Sequence, residues 1–120
     1  TWMNLAVADP RRAVVVELTP KQAVVRNAED RLLACTNHFR TAELSVGRHC
    51  GRYQRLEKCW RRKEPFTLAD VARAMHEVNQ GEATLQTMVF EPQTLTLRLA
   101  IGKPPASALP LVPLELKKLW

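Results

Sequence analysis

The spacing of apolar and polar positions changes period twice along this chain. Residues 2–9 (WMNLAVAD) read as a strand that ends at Asp9-Pro10-Arg11-Arg12, a turn signal. Residues 13–18 (AVVVEL) are β-branched and apolar and predict a buried strand. Thr19-Pro20 stops it, because the residue before a proline avoids helical backbone. Residues 23–27 (AVVRN) predict a third strand, and residues 31–35 (RLLAC), after a polar turn at 27–30, a fourth. Four short strands joined by tight turns predict an antiparallel meander over residues 1–39.

From residue 49 to residue 62 the period becomes helical, with Tyr53, Leu56, Cys59 and Trp60 on one side. The other side is basic: Arg48, Arg52, Arg55, Lys58 and Arg62. Pro65 ends this helix. Thr67 is an N-cap candidate with Asp70 three positions on, the spacing of a capping box. Leu68, Val71, Ala72, Met75 and Val78 then form one stripe, which predicts an amphipathic helix over 67–78 with Gly81 as a stop signal. The helices together occupy residues 48–79.

Period two returns in residues 83–102. Segments 84–90 and 94–101 flank Glu91-Pro92-Gln93, a three-residue hairpin loop. Leu95, Leu97, Leu99 and Ile101 are expected to face a core, with Thr94, Thr96 and Arg98 opposite. Residues 103–120 read as an extended tail, since four of the eight prolines fall between Gly102 and Pro113. Residues 114–120 fit either a helical turn or a docked strand. Strands, helices, then strands make an α+β chain, with an antiparallel sheet carrying two helices on one face.

A length of 120 residues fits one domain or a portion of one. With 46% hydrophobic and 25% charged residues, a disordered tail and a disulfide scaffold are excluded. No run reaches the roughly 18–20 apolar residues of a membrane-spanning helix. No basic-then-apolar signal peptide opens the chain, no membrane attachment is expected, and three cysteines that read as reduced thiols point to a cytoplasmic protein. The net charge of +6 suits acidic partners without requiring nucleic acid. Cys35, Cys50 and Cys59 are odd in number and lack metal-ligand spacing, so they read as reduced thiols and no metal is expected. The chain opens at Thr1 inside an apolar run, which reads as a cut or processed boundary.

No glycine-rich phosphate loop, HExxH, CxxC or GxSxG is present. The most unusual string is Ala34-Cys35-Thr36-Asn37-His38-Phe39, where an apolar run meets three polar side chains. Asn and His there can donate hydrogen bonds to a developing oxyanion. They can equally cap a strand and open a turn. Cys35 has the bland reading of a small buried hydrophobe.

CTNHF and its preceding strands, Asn4–Asp9 and Val14–Pro20, resemble the acyl-coenzyme A:6-aminopenicillanate acyltransferase family of cysteine N-terminal-nucleophile hydrolases. The resemblance continues through Arg52-Tyr53-Gln54-Arg55-Leu56, Ala83-Thr84-Leu85, Phe90-Glu91-Pro92 and Gly102-Lys103-Pro104, in family order. It implies the C-terminal part of an αββα sandwich. It implies acyl transfer through a Cys thioester on linear amides, after autocatalytic cleavage frees the nucleophilic Cys and its α-amino base. That Cys belongs to a more N-terminal portion, so this chain holds no nucleophile and is expected to be inactive alone. The family asparagine of T-N-H corresponds to Asn37, which implies an oxyanion donor. Thr36 and His38 are candidate site-lining residues. The family arginine before A-T-L has no counterpart in Gln80-Gly81-Glu82. Thr1 matches an interior strand start, which argues against a nucleophile role. No cofactor is implied. The implied partners are the N-terminal portion of the precursor or a second copy covering the sheet, and a small amide or acyl thioester substrate.

Two other readings stand beside this one. Residues 48–63 hold seven Lys/Arg against one Glu, which a small basic nucleic-acid-binding module would use to track phosphates. Tyr53 and Trp60 fall on the apolar side, however, which favours a solvated face, an acidic neighbour or attraction of an anionic acyl thioester. Nucleic acid is therefore not the expected partner. The last reading is a non-catalytic half that supports assembly.

Overall fold

The structure is a computed structural model. It describes residues 2–29, 32–47 and 49–116, and of Trp60 the backbone alone. Thr1, Asp30, Arg31, Arg48 and residues 117–120, which carried expectations above, lie outside the described residues. The chain is α+β and divides into two compact units, Thr1–Lys63 and Glu64–Trp120.

The first unit is built on β1 (Met3–Ala8), β2 (Ala13–Leu18) and β3 (Ala23–Asn27), an antiparallel sheet in that order. Turn chemistry sets the connections. Asp9 Oδ1 accepts from the N–H groups of Arg11 and Arg12, and Thr19 Oγ1 accepts from those of Lys21 and Gln22. Pairing places Asn4 opposite Glu17, Ala6 opposite Val15, and Val15 opposite Arg26. One face therefore carries Asn4, Val15, Glu17 and Arg26, and Val15 and Glu17 are fully buried there. The other face presents Met3, Leu5, Val7 and Val25, each about half exposed.

Among the described residues 32–35 the expected fourth strand does not form. Leu32 makes only an isolated bridge to Glu29, and residues 33–36 join no ladder. The carbonyl of Ala34 instead accepts from the guanidinium of Arg26. The meander is therefore three-stranded. Ala34 packs with Cys50 and Tyr53, with Leu56 alongside. The expected single helix over 49–62 is shorter and tightens along its length: α1 (Gly51–Glu57) passes into a 3-10 turn at Lys58–Arg61.

The second unit begins with α2 (Leu68–Glu77). Thr67 caps it, and the Thr67 hydroxyl and Asp70 carboxylate form the reciprocal capping box. β4 (Gln86–Glu91), β5 (Thr96–Ile101) and β6 (Val112–Glu115) form a second antiparallel sheet in that order. The hairpin is wider than expected. Glu91 pairs with Thr96, and residues 92–95 make the turn with Leu95 at φ 51°. The tail is not wholly extended, since Ala106–Ala108 forms a 3-10 turn before β6 docks on β5. The expected arrangement of one sheet with both helices on one face gives way to two sheets, with α1 and α2 in different units.

The faces of β5 are also inverted relative to expectation. Ala100, 2% exposed, and its partner Thr87 form the buried side, with α2 and the 3-10 turn packed against β4. Ile101 is 66% exposed, and Met88, Phe90, Val112 and Leu114 on the same side are about half exposed. Ala106 is fully buried and anchors the tail by donating its N–H to the carbonyl of Thr84.

Candidate active site

The polar face of the first sheet carries a loop rather than a helix. Glu17, 0% exposed, accepts from the N–H groups of Arg40 (2.8 Å) and Thr41 (3.0 Å) and from the Thr41 hydroxyl (2.8 Å). It also pairs with Arg26 Nε at 2.7 Å. Burial pushes the Glu17 carboxyl up. The donors from Thr41, Arg40 and Arg26 outweigh it and hold the group below the ordinary carboxylate range. Arg26 reaches on to the Ala34 carbonyl at 3.0 Å. Arg40 lies over the ring of Tyr53, 4.1 Å from its centroid. These contacts fasten both ends of residues 34–41, which include the Thr36-Asn37-His38 string.

Asn37 is exposed at the bend of this loop and is not the tip of a strand, as the sequence suggested. Its Oδ1 accepts from Arg52 Nη2, on the first turn of α1. A guanidinium has only donors, so it can bind only the oxygen end of the amide. The Nδ2 end is left to donate, and among the described residues it has no acceptor. Asn37 and His38 line a cleft of about 430 Å3 whose other walls include Trp2, Phe39, Leu44 and Val46. The Trp2 and Phe39 rings stack with centroids 5.9 Å apart. His38 Nδ1 is buried and has no hydrogen-bond partner among the described residues.

Thr36 is placed differently from its two neighbours. Its hydroxyl meets Cys50 Sγ at 3.6 Å, and it does not line the cleft. Burial pushes the Cys50 thiol up, but N–H groups of Tyr53 and Arg52, the Thr36 hydroxyl and the Arg52 charge leave it below the usual thiol value. The Cys35 thiol is pushed up by burial, which suits a packed, unreactive side chain. Cys35, Cys50 and Cys59 are all unbridged. Among the described residues no group of three His, Cys, Asp or Glu side chains is placed to hold a metal ion. No helix among them is long and apolar enough to cross a membrane.

Sequence reasoning missed the contact of Arg52 with Asn37 and the roles of Asn4, Glu17 and Arg26. Arg52 stood in a motif of the resemblance, but no local spacing ties it to a residue fifteen positions earlier. Polar residues inside apolar strands were the available signal for the others. A second concavity, beside Ala83, Leu85, Gln86, Ile101 and Gly102, includes no Asp, Glu, His, Cys, Lys or Arg among its lining residues.

Neither the curated proteins nor the solved structures that were searched gave a match. A family model does match, over residues 3–106, and its description is acyl-coenzyme A:6-aminopenicillanic acid acyl-transferase. That span takes in β1, the Asn37 loop, both α-helices and the β4–β5 hairpin, most of the 120 residues. The chain belongs to the acyl-coenzyme A:6-aminopenicillanic acid acyl-transferase family.

Proposed function

We propose that this chain is the C-terminal portion of an amide hydrolase or acyltransferase and that Asn37 supplies its oxyanion donor. The observation that carries the reading is the Arg52–Asn37 contact, which commits the amide oxygen and leaves the N–H2 end beside an apolar cleft. In the proposed reaction a cysteine thiolate from the N-terminal portion of the same precursor attacks the substrate carbonyl carbon. The S–C bond forms and the carbonyl π pair moves onto oxygen. Asn37 Nδ2 donates to that oxyanion, with the Arg52 charge behind it. Collapse breaks the C–N bond, and the amine leaves with the proton that the cysteine α-amino group took from the thiol. Water or an amine then attacks the thioester carbonyl carbon as the α-amino group, neutral again, takes its proton; the new C–O or C–N bond forms, the S–C bond breaks, and the proton returns to the thiolate.

The aromatic and aliphatic walls of the cleft favour an apolar acyl group over a charged one. The uncovered apolar sides of both sheets support a further β-layer from the N-terminal portion, as an αββα sandwich requires. The test is to incubate the full-length protein with hexanoyl-p-nitroanilide, quench in acid and map the acylated peptide by mass spectrometry. Hexanoyl on a cysteine N-terminal to this chain is expected. Acylation of Cys35, Cys50 or Cys59, or no acyl-enzyme at all, contradicts the reading.

A further inference from the structure

Asn4 interrupts a strand otherwise made of Met3, Leu5, Ala6, Val7 and Ala8. Its Oδ1 is buried with no partner among the described residues, a cost that the two bonds of its donors must offset. Both N–H bonds of its amide go to one place. Asn4 Nδ2 donates to the carbonyl of Thr36 at 2.6 Å and to the carbonyl of His38 at 3.0 Å. These two carbonyls bracket Asn37. The Thr36 carbonyl belongs to the peptide unit that enters Asn37, and the His38 carbonyl lies one residue beyond it.

We propose that Asn4 is a positioning residue that fixes the backbone direction at Asn37 and so aims its amide. The inference deepens the proposed function and rests on Asn37 acting on substrate. The division of labour follows from the contacts. Arg26 holds the loop before this segment, at Ala34, and Glu17 holds it after, at Arg40 and Thr41. Neither reaches residues 36–38, which take part in no strand ladder and are free to choose other φ/ψ wells without a local tie. Asn4 supplies that tie from beneath, and Arg52 orients the amide plane from α1. A residue that merely filled space would not direct two donors at the carbonyls on either side of the same side chain.

Asn4→Asp tests this in the full-length protein, since it keeps the shape and removes both donors. With hexanoyl-p-nitroanilide, kcat is expected to fall by about 10–100-fold, the size of effect a displacement near 1 Å produces, while KM is little changed. In an Asn37→Ala background the same substitution is expected to change kcat by less than about 3-fold, because residues acting as one unit are not additive. Lowering the pH returns one donor by protonating the new carboxyl, so activity relative to the parent at the same pH should rise. A readout free of turnover accompanies these: the side-chain amide resonance of Asn37 in isotope-labelled protein. It should move to the position of an unstructured asparagine in Asn4→Asp while the β1–β3 backbone spectrum is kept.

Equal kcat losses with and without Asn37 would overturn the proposal, and so would no loss when Asn37→Ala is itself impaired. If Asn37→Ala turns over normally, the functional reading fails, and the resonance alone decides the positioning role: an unmoved signal contradicts it. Should Asn4→Asp fail to fold, Asn4→Ser is carried through the same comparisons.

Discussion

The two three-stranded sheets share strand order and antiparallel pairing but line their buried faces with different chemistry. The second buries Thr87 and Ala100, small side chains that let α2 and a 3-10 turn come close. The first buries Glu17 beside Val15 and sets Asn4 and Arg26 around it, all three bonded to one loop. Helices satisfy their own backbone groups, so an apolar bed serves them. A loop does not, so its carbonyls and N–H groups need side-chain partners wherever they are buried. The first unit therefore holds charged and amide side chains bonded to a loop where the second buries small hydroxyl and methyl side chains under a helix.

That contrast is open to breakage. Glu17→Gln leaves Arg26 without its charge partner and puts a donor where Thr41 also donates, so the first unit should lose about 3–5 kcal/mol. Denaturant unfolding followed by hydrogen exchange of β1–β3 amides checks it. A loss under about 1 kcal/mol would make the polar face dispensable. The same carboxylate predicts acid sensitivity of the first unit. Its folded pKa is depressed, so its stabilisation is complete above the ordinary carboxylate range and is lost as pH falls through the folded value. An acid midpoint that shifts to lower pH in Glu17→Gln, rather than flattening, would contradict this.

In the second unit the corresponding damage is steric. Ala100→Leu overfills the packed side of β5 and should cost about 1–3 kcal/mol, with Ile101→Ala on the open side costing far less. Equal losses at the two positions would mean the faces are assigned backwards. The smallest effect belongs to the helix cap. Thr67→Ala removes one half of the capping box and should cost about 1 kcal/mol, read as a lower thermal midpoint.

Legibility in the sequence followed the range of each interaction. The Thr67–Asp70 box, the Asp9 turn and the Thr19 break join residues no more than three apart, and all are in place. The 23–27 strand also matches. Residues 31–35 misled because Leu-Leu-Ala-Cys fits a short strand as well as a packed loop, and the decision rests on Arg26, which takes the carbonyl of Ala34. β5 was read as a strand correctly, but alternation alone does not say which side is covered. β6 was only half legible: a docked strand was one of two readings for residues 114–120, and the strand begins earlier, at Val112, with Pro113 at the sheet edge, where a missing N–H is tolerated. At the site, Asn37 and His38 were legible as types of residue at an unusual junction. Asn4 and Arg52 were not, because their contacts span thirty-two and fifteen positions.

The central claim is that the Asn37 amide meets an oxyanion, and turnover by the Asn37→Ala full-length protein tests it most directly. The account predicts a fall in kcat of about 10²–10³-fold with the thermal midpoint unchanged. A kcat equal to the parent's, in a protein that folds as the parent does, would contradict it.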